Sequence, residues 1–469
     1  MLFSSSVFLF CFLTAVLVLY YGFLRGIRWA QNLILLLASL FFYAWGEPRF
    51  VLVMMASIAV NYGLGLWAAA RGPGDRAPVV LAFVLNLALL FVYKYLAFTL
   101  ELVNALGGSF VIPVIELPIG ISFFTFQALS YVIDVSRGRT RVQTSLLRVA
   151  LYISFFPQLV AGPIIKYETV ADQLEHRRET WADFSSGVCR FLAGLGKKVL
   201  LANQLALVAD AAFNAGGAAL TAPMAWLGAV CYTLQIYYDF SGYSDMAIGL
   251  GRMFGFHFPE NFNYPYFARS ITDFWRRWHI SLSSWFRDYV YIPLGGSRVD
   301  SRRKHLRNLF VVWLCTGIWH GANWTFLCWG LFYFLLLALE KFCGLGRGWP
   351  QWLGRAYTLL AVNFAWVVFR APDLPAAGAY LAAMFRFGGG TPDAGFYLAE
   401  YSVILVLSAL FSVPLAPAAG RWLTKRGEAR PALGMAVDVG YAVLLLGVFL
   451  ASASFLVKGT YNPFIYFNF

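Results

Sequence analysis

The chain has five histidines, and two of them stand where a merely solvated imidazole would not be placed. His320 lies in Gly317-Ile-Trp-His-Gly-Ala-Asn-Trp324, inside an uncharged stretch that runs from Arg307 to Glu340. A neutral imidazole can take the proton of an attacking hydroxyl, a step typically worth about 10²–10⁴ in rate. The alternative is a core histidine bonded to a neighbouring helix. His279 lies in residues 271–289. Read as one helix, that segment puts Trp275, Trp278, His279, Leu282, Trp285, Phe286 and Tyr289 on one face. Arg276, Ile280, Ser283 and Arg287 fall on the other, the pattern of an interfacial amphipathic helix. An aromatic anchor belt with a histidine caught in it would look the same.

Two carboxylates, Asp239 and Asp245, fall in Tyr238-Asp-Phe-Ser-Gly-Tyr-Ser-Asp-Met246. They are candidates to line a channel, although helix capping explains them equally simply. The last six residues, Phe464-Ile-Tyr-Phe-Asn-Phe469, are aromatic and apolar. Leaving them in water would be costly. The tail therefore reads either as an interfacial anchor or as a segment docked back into the protein, carrying the hydroxyl of Tyr466 with it. His176, His257 and His305 sit in polar surroundings and read as surface residues. No two histidines have metal-ligand spacing, so no metal site is expected.

The elements around these residues must be membrane helices. Apolar residues make up 60% of the sequence and charged ones 13%, against roughly 25% charged in a soluble domain. A soluble fold of this size could not bury so much apolar surface. Apolar runs at residues 5–24, 30–46, 50–70, 77–100 and 118–135 each approach the ~20 residues of a spanning helix. Basic turns follow the first, third and fifth, which places the N-terminus outside by the positive-inside rule. The same rule accounts for the net charge of +13 without invoking nucleic acid. Residues 146–165 are apolar but broken by Pro157 and Gly162-Pro163, as in a re-entrant segment buried in protein. Further runs at 191–213, 223–240, 309–339, 353–369, 396–415 and 433–457 bring the expected total to about eleven spans. The expectation is a single all-α transmembrane bundle over residues 1–469, with re-entrant and interfacial helices. Its tail, residues 458–469, would lie outside. Repeated halves or several intramembrane acids would have favoured a transporter, and a purely structural scaffold for a secretion complex is a further alternative.

Five segments resemble one known family, the membrane-bound O-acyltransferases, and within it the bacterial branch for alginate or peptidoglycan O-acetylation and teichoic acid D-alanylation. They are residues 117–124, 155–163 and 238–249, Phe274-Trp-Arg-Arg-Trp-His-Ile-Ser-Leu-Ser283, and Trp319-His-Gly-Ala-Asn323. The resemblance implies a funnel or tunnel with His320 at its floor, His279 as a second functional histidine, and Tyr466 as an acyl acceptor in a Phe-x-Tyr-x-x-Phe ending. It implies Asn323, Trp275, Arg276, Asp239 and Asp245 as channel candidates. It also implies acetyl-CoA or another thioester as donor, no bound cofactor, and a bacterial inner-membrane location with both termini extracytoplasmic. On this reading an acetyl group crosses the membrane to an extracytoplasmic serine-type acetyltransferase that modifies alginate or a similar exopolysaccharide. His320 would act as general base, and His279 would position a group or stabilise an oxyanion.

Overall fold

A computed structural model describes residues 1–216, 219–388, 393–459 and 461–465. Helices are the only regular secondary structure among those residues, with no strand. Without water between helices, association in a bilayer rests on close packing and small residues rather than on hydrophobic burial. Six helices are long and apolar enough to cross a membrane: Phe50–Arg71, Ala77–Ala105, Trp181–Asn214, Trp324–Cys343, Gln351–Arg370 and Pro431–Lys458. The pair Ala394–Glu400 and Ser402–Phe411, bent by 68°, makes a seventh if it is one span. This is fewer than the eleven expected. Val7–Phe23 and Ile121–Ser136 are apolar but shorter, and Ala222–Met253 is long but carries Asp239, Asp245 and Arg252.

The chain divides into two compact units, Met1–Phe191 with Ser244–Pro259, and Leu192–Tyr243 with Glu260–Phe469. In the first, Phe50–Arg71 packs on Ile121–Ser136, every residue of which is buried. Gly65 permits that approach, because a Cβ there would lie 2.3 Å from the Tyr131 ring. The broken segment at residues 146–165 behaves as its prolines require. Helix Leu146–Ser154 stops at Phe155, helix Phe156–Leu159 follows, and both are packed inside protein. The polar stretch after it is held by Arg177, whose guanidinium donates to Tyr20, Asn32 and the Phe254 carbonyl.

The second unit holds the two singular histidines. Helix Arg302–His320 is capped by Ser301 and turns through Gly321, Ala322 and Asn323 into helix Trp324–Ala338. The two lie backbone to backbone. A Cβ on Gly317 would sit 2.7 Å from the Phe326 carbonyl oxygen, and one on Gly330 would sit 2.6 Å from that of Trp313. The expected single amphipathic helix over residues 271–289 is instead two short helices, Ile271–Arg277 and Ile280–Phe286. The break falls on His279, whose φ of 44° is left-handed. Asn261 stabilises it, because its carbonyl oxygen accepts from Ile280 N at 3.0 Å. The Glu340 carboxylate caps the first short helix through Ile271 N (2.6 Å) and Thr272 N (2.9 Å), where the helix dipole favours an anion.

Candidate active site

His320 is the last residue of its helix, at the tip of the glycine-tightened hairpin. Its ring is enclosed by Trp319 (4.9 Å between centroids), Trp329 (4.9 Å), Phe369 (5.1 Å) and Phe326 (6.4 Å). His279 is also buried, and Trp319 is its neighbour too. Its ring lies 6.1 Å from the Trp319 ring and 4.6 Å, edge to face, from Phe240. Both imidazoles therefore neighbour one indole. Residues 279 and 320, 41 apart in sequence, thus share a neighbour, and the left-handed kink falls at the first of them.

The protonation of His279 is set by its partners. Asn261 Oδ1 accepts from Ser281 N (3.2 Å), which can only donate, and from Ser281 Oγ (2.8 Å). That atom is therefore the amide oxygen, and His279 Nδ1, 3.2 Å away, must donate to it. The proton sits on Nδ1 and the lone pair on Nε2. Nε2 is buried and has no hydrogen-bond partner among the described residues. Burial pushes this imidazole well below its ordinary range, to about 3, so it stays neutral.

Three more buried polar atoms lack partners among the described residues in the same aromatic cluster: Trp275 Nε1, Trp329 Nε1 and Tyr333 Oη. Trp275 packs on Trp329 at 5.6 Å and on Tyr333 at 4.9 Å. Unmet donors in an apolar interior are costly unless a ligand or water meets them.

Two cavities are lined in part by residues of this aromatic cluster. The larger, about 620 Å³, is lined by Asn323, Phe326, Phe369, Arg370, Asp210 and the tail residues Phe464 and Ile465, among others. Phe326 and Phe369 divide it from His320. The smaller, about 340 Å³, is lined by Trp275, Arg276, Arg287, Trp313 and Thr316. Trp275 and Trp329 divide it from His320.

The structure brings together His320, His279 and Trp275, with Asn323 and Arg276 at the cavities. Asn323 caps helix Trp324–Ala338 and donates to the Pro372 carbonyl at 2.7 Å. Asp239 pairs with Lys198 at 2.6 Å in the same unit. Asp245 belongs to the first unit, where Arg190 holds it at 2.7 Å. His305, expected at the surface, is buried against Tyr291 (2.9 Å). Tyr466 lies outside the described residues. Sequence reasoning missed Asn261 and Lys198. Lys198 had a signal, since it interrupts an apolar run, whereas Asn261 had none.

The sequence model of the membrane-bound O-acyltransferase family matches residues 77–374. The chain is 46% identical over 402 residues to the probable alginate O-acetylase AlgI of Pseudomonas aeruginosa, covering 83% of this chain and 75% of that one. Its likeness to the Pseudomonas putida protein of the same name is 41% over 496 residues, the whole of both chains. To the peptidoglycan O-acetyltransferase of Helicobacter pylori it is 36% over 429 residues, covering 83% and 80%. The family match takes in both histidines and most of the sequence, and the chain belongs to the membrane-bound O-acyltransferase family as a multi-pass membrane acyltransferase.

Proposed function

We propose that this enzyme moves an acetyl group from a cytoplasmic thioester donor, acetyl-CoA, through the aromatic layer to the C-terminal tail, for O-acetylation of alginate outside the cell. The observation that carries the proposal is the pair of buried imidazoles that share Trp319 as a ring neighbour, in an aromatic cluster whose members also line two cavities. Transfer between an inner donor and an outer acceptor needs a dry partition with a proton acceptor in it, and the buried aromatic rings around His320 support that reading. The polymer comes from the relatives, of which those at 41–46% identity carry the alginate name. The peptidoglycan relative, at 36%, makes peptidoglycan the second choice.

In this scheme His320, at the hairpin tip, is the general base toward the attacking hydroxyl. His279 Nε2, a fixed acceptor, orients that hydroxyl. A neutral imidazole in this tautomer cannot donate to an oxyanion from Nε2, so the oxyanion role expected of His279 passes to an indole. Trp329 Nε1, unpartnered and in the ring against His320, is the best placed. Donors fixed in advance in a water-excluded site are worth far more than in water.

Tyr466 is the proposed acceptor in the tail. A phenol, with a pKa near 10, is a good leaving group, so its acetyl ester retains much of the reactivity of the thioester. Attack by the phenolate oxygen on the thioester carbonyl releases the thiol. A second hydroxyl then attacks the acetyl-tyrosine and regenerates the phenol. A serine-type acetyltransferase outside the membrane is the proposed second acceptor. An inner-membrane location with both termini outside completes the proposal. Incubation of the purified protein with radiolabelled acetyl-CoA, followed by mapping of label to peptides, tests it. Label on the C-terminal peptide, lost in His320→Ala, is expected. Absence of label on any peptide of a folded protein would refute the carrier.

A further inference from the structure

We infer that Lys198 and Asp239 form a clamp that reads the main chain of the C-terminal segment and holds it in the second unit. The use of that segment as an acyl station rests on the carrier reading above, but the clamp does not. Both side chains are almost wholly buried, at 1% and 2% exposure, and their Nζ and Oδ1 lie 2.6 Å apart. Each also bonds the main chain of the tail. Lys198 Nζ donates to the Pro463 carbonyl, and Asp239 Oδ2 accepts from Ile465 N at 3.0 Å. One donor and one acceptor thus meet a carbonyl and an N–H two residues apart. The pairing is indifferent to side-chain identity.

The body is built to make this pair. Gly242 brings helix Ala222–Met253 against the turn before Lys198, because a Cβ there would lie 2.8 Å from the Gly194 carbonyl oxygen and 3.1 Å from Lys198 N. Residues Lys197–Ala202 form a π-helical turn, a device frequent at functional sites. Side-chain contacts fix the register of the tail. Asn203 Nδ2 donates to Asn462 Oδ1 at 3.2 Å, and Tyr461 donates to the Asp210 carboxylate. The Phe464 ring packs on Tyr243 at 5.0 Å and lies 5.5 Å from Lys198 Nζ.

A buried ion pair is by itself weak grounds for stability, since desolvation offsets its attraction, and charges within membrane helices mark function by default. A merely structural pair would need no tail. A clamp needs its polarity to match the backbone, and this separates the two.

Hydrogen–deuterium exchange of the full-length protein in nanodiscs reads it directly. The wild-type peptide containing residues 461–465 should exchange slowly. Asp239→Ala should speed its exchange by about tenfold or more, the effect of losing a charge-assisted bond. The charge-swapped Lys198→Asp/Asp239→Lys protein keeps the pair but sets acceptor against carbonyl and donor against N–H, and should exchange equally fast. Slow exchange in the swapped protein, or no change in Asp239→Ala, overturns the clamp. With Ile465→Ala as the control for the lost side chain, Ile465→Pro removes the donated N–H while keeping Lys198 and Asp239. It should free the amides of Asn462 and Phe464 where Ile465→Ala does not, and equal protection in the two would also overturn it. Tyr466→Phe should keep slow exchange whether or not acetyl transfer survives, so the clamp and the carrier fail separately.

Discussion

His279 Nδ1 donates to Asn261 Oδ1 across 3.2 Å, and this bond leaves Nε2 as the sole basic nitrogen of a buried, neutral ring. Asn261 is thus a positioning residue that acts through His279. Removing it frees the ring to flip or change tautomer, and a wrong tautomer can cost about 10⁴ in kcat where a histidine is the base. Asn261→Ala should lower kcat of acetyl transfer by about 10² or more with little change in KM for the donor. Asn261→Ser, which can still accept, should recover part of it. A parallel rise in KM with kcat intact would assign Asn261 to donor binding instead.

Acid should act through the same ring. The segment carrying His279 lies outside the candidate spans. Its folded pKa, near 3 by burial, is below the ~6.5 of an unfolded histidine. Between those values the unfolded chain binds the extra proton, so the contribution of this ring to stability is fully present above pH ~6.5 and declines as pH falls toward 3. Thermal melts of the wild type and His279→Gln between pH 4 and 7.5 check it. The wild type should lose more stability on acidification than the variant, and parallel curves would show that His279 is already solvated.

The hairpin that presents His320 depends on two glycines. A Cβ at Gly330 would sit 2.6 Å from a backbone oxygen, which cannot move without parting the helices. Gly330→Ala should cost about 1–3 kcal/mol, the usual range for overpacking, and should depress transfer as His320 shifts. Gly378→Ala, in helix Leu374–Ala383 with nothing within 4 Å of the new Cβ, is the control. It should be neutral or stabilising by up to about 1 kcal/mol. Equal Tm values for the two would mean that the hairpin yields.

The isolation of His320 in an uncharged run was legible because ionisable groups in such runs are rare. The break at His279 was not. Trp275, Trp278, Leu282 and Trp285 keep helical spacing whether the helix is continuous or kinked, and the kink is fixed by Asn261, eighteen residues earlier and outside any periodic pattern. Lys198 was open to the same reasoning as His320 but was absorbed into an apolar run. Its role depends on Asp239 and on tail atoms that no local pattern connects to it. Pro157 and Gly162-Pro163 did predict the broken segment, since proline removes a helix donor wherever it stands. The count of apolar runs exceeds that of long apolar helices because apolarity marks burial in protein as readily as burial in lipid, as Ile121–Ser136 shows.

The carrier is tested most directly by one oxygen atom. Tyr466→Phe keeps the apolar character of the tail and removes the only hydroxyl among its last six residues. If the acetyl group rests there, polymer acetylation in cells should fall to background, while protein abundance in the membrane stays at the wild-type level. Loss of a nucleophile removes a covalent step rather than weakening a contact, so the effect should be near complete. Tyr461→Phe, which loses only the bond to Asp210, should reduce acetylation partially. Full acetylation in Tyr466→Phe would mean that the acetyl group passes directly from donor to the outer acceptor, with His320 and His279 serving a single transfer.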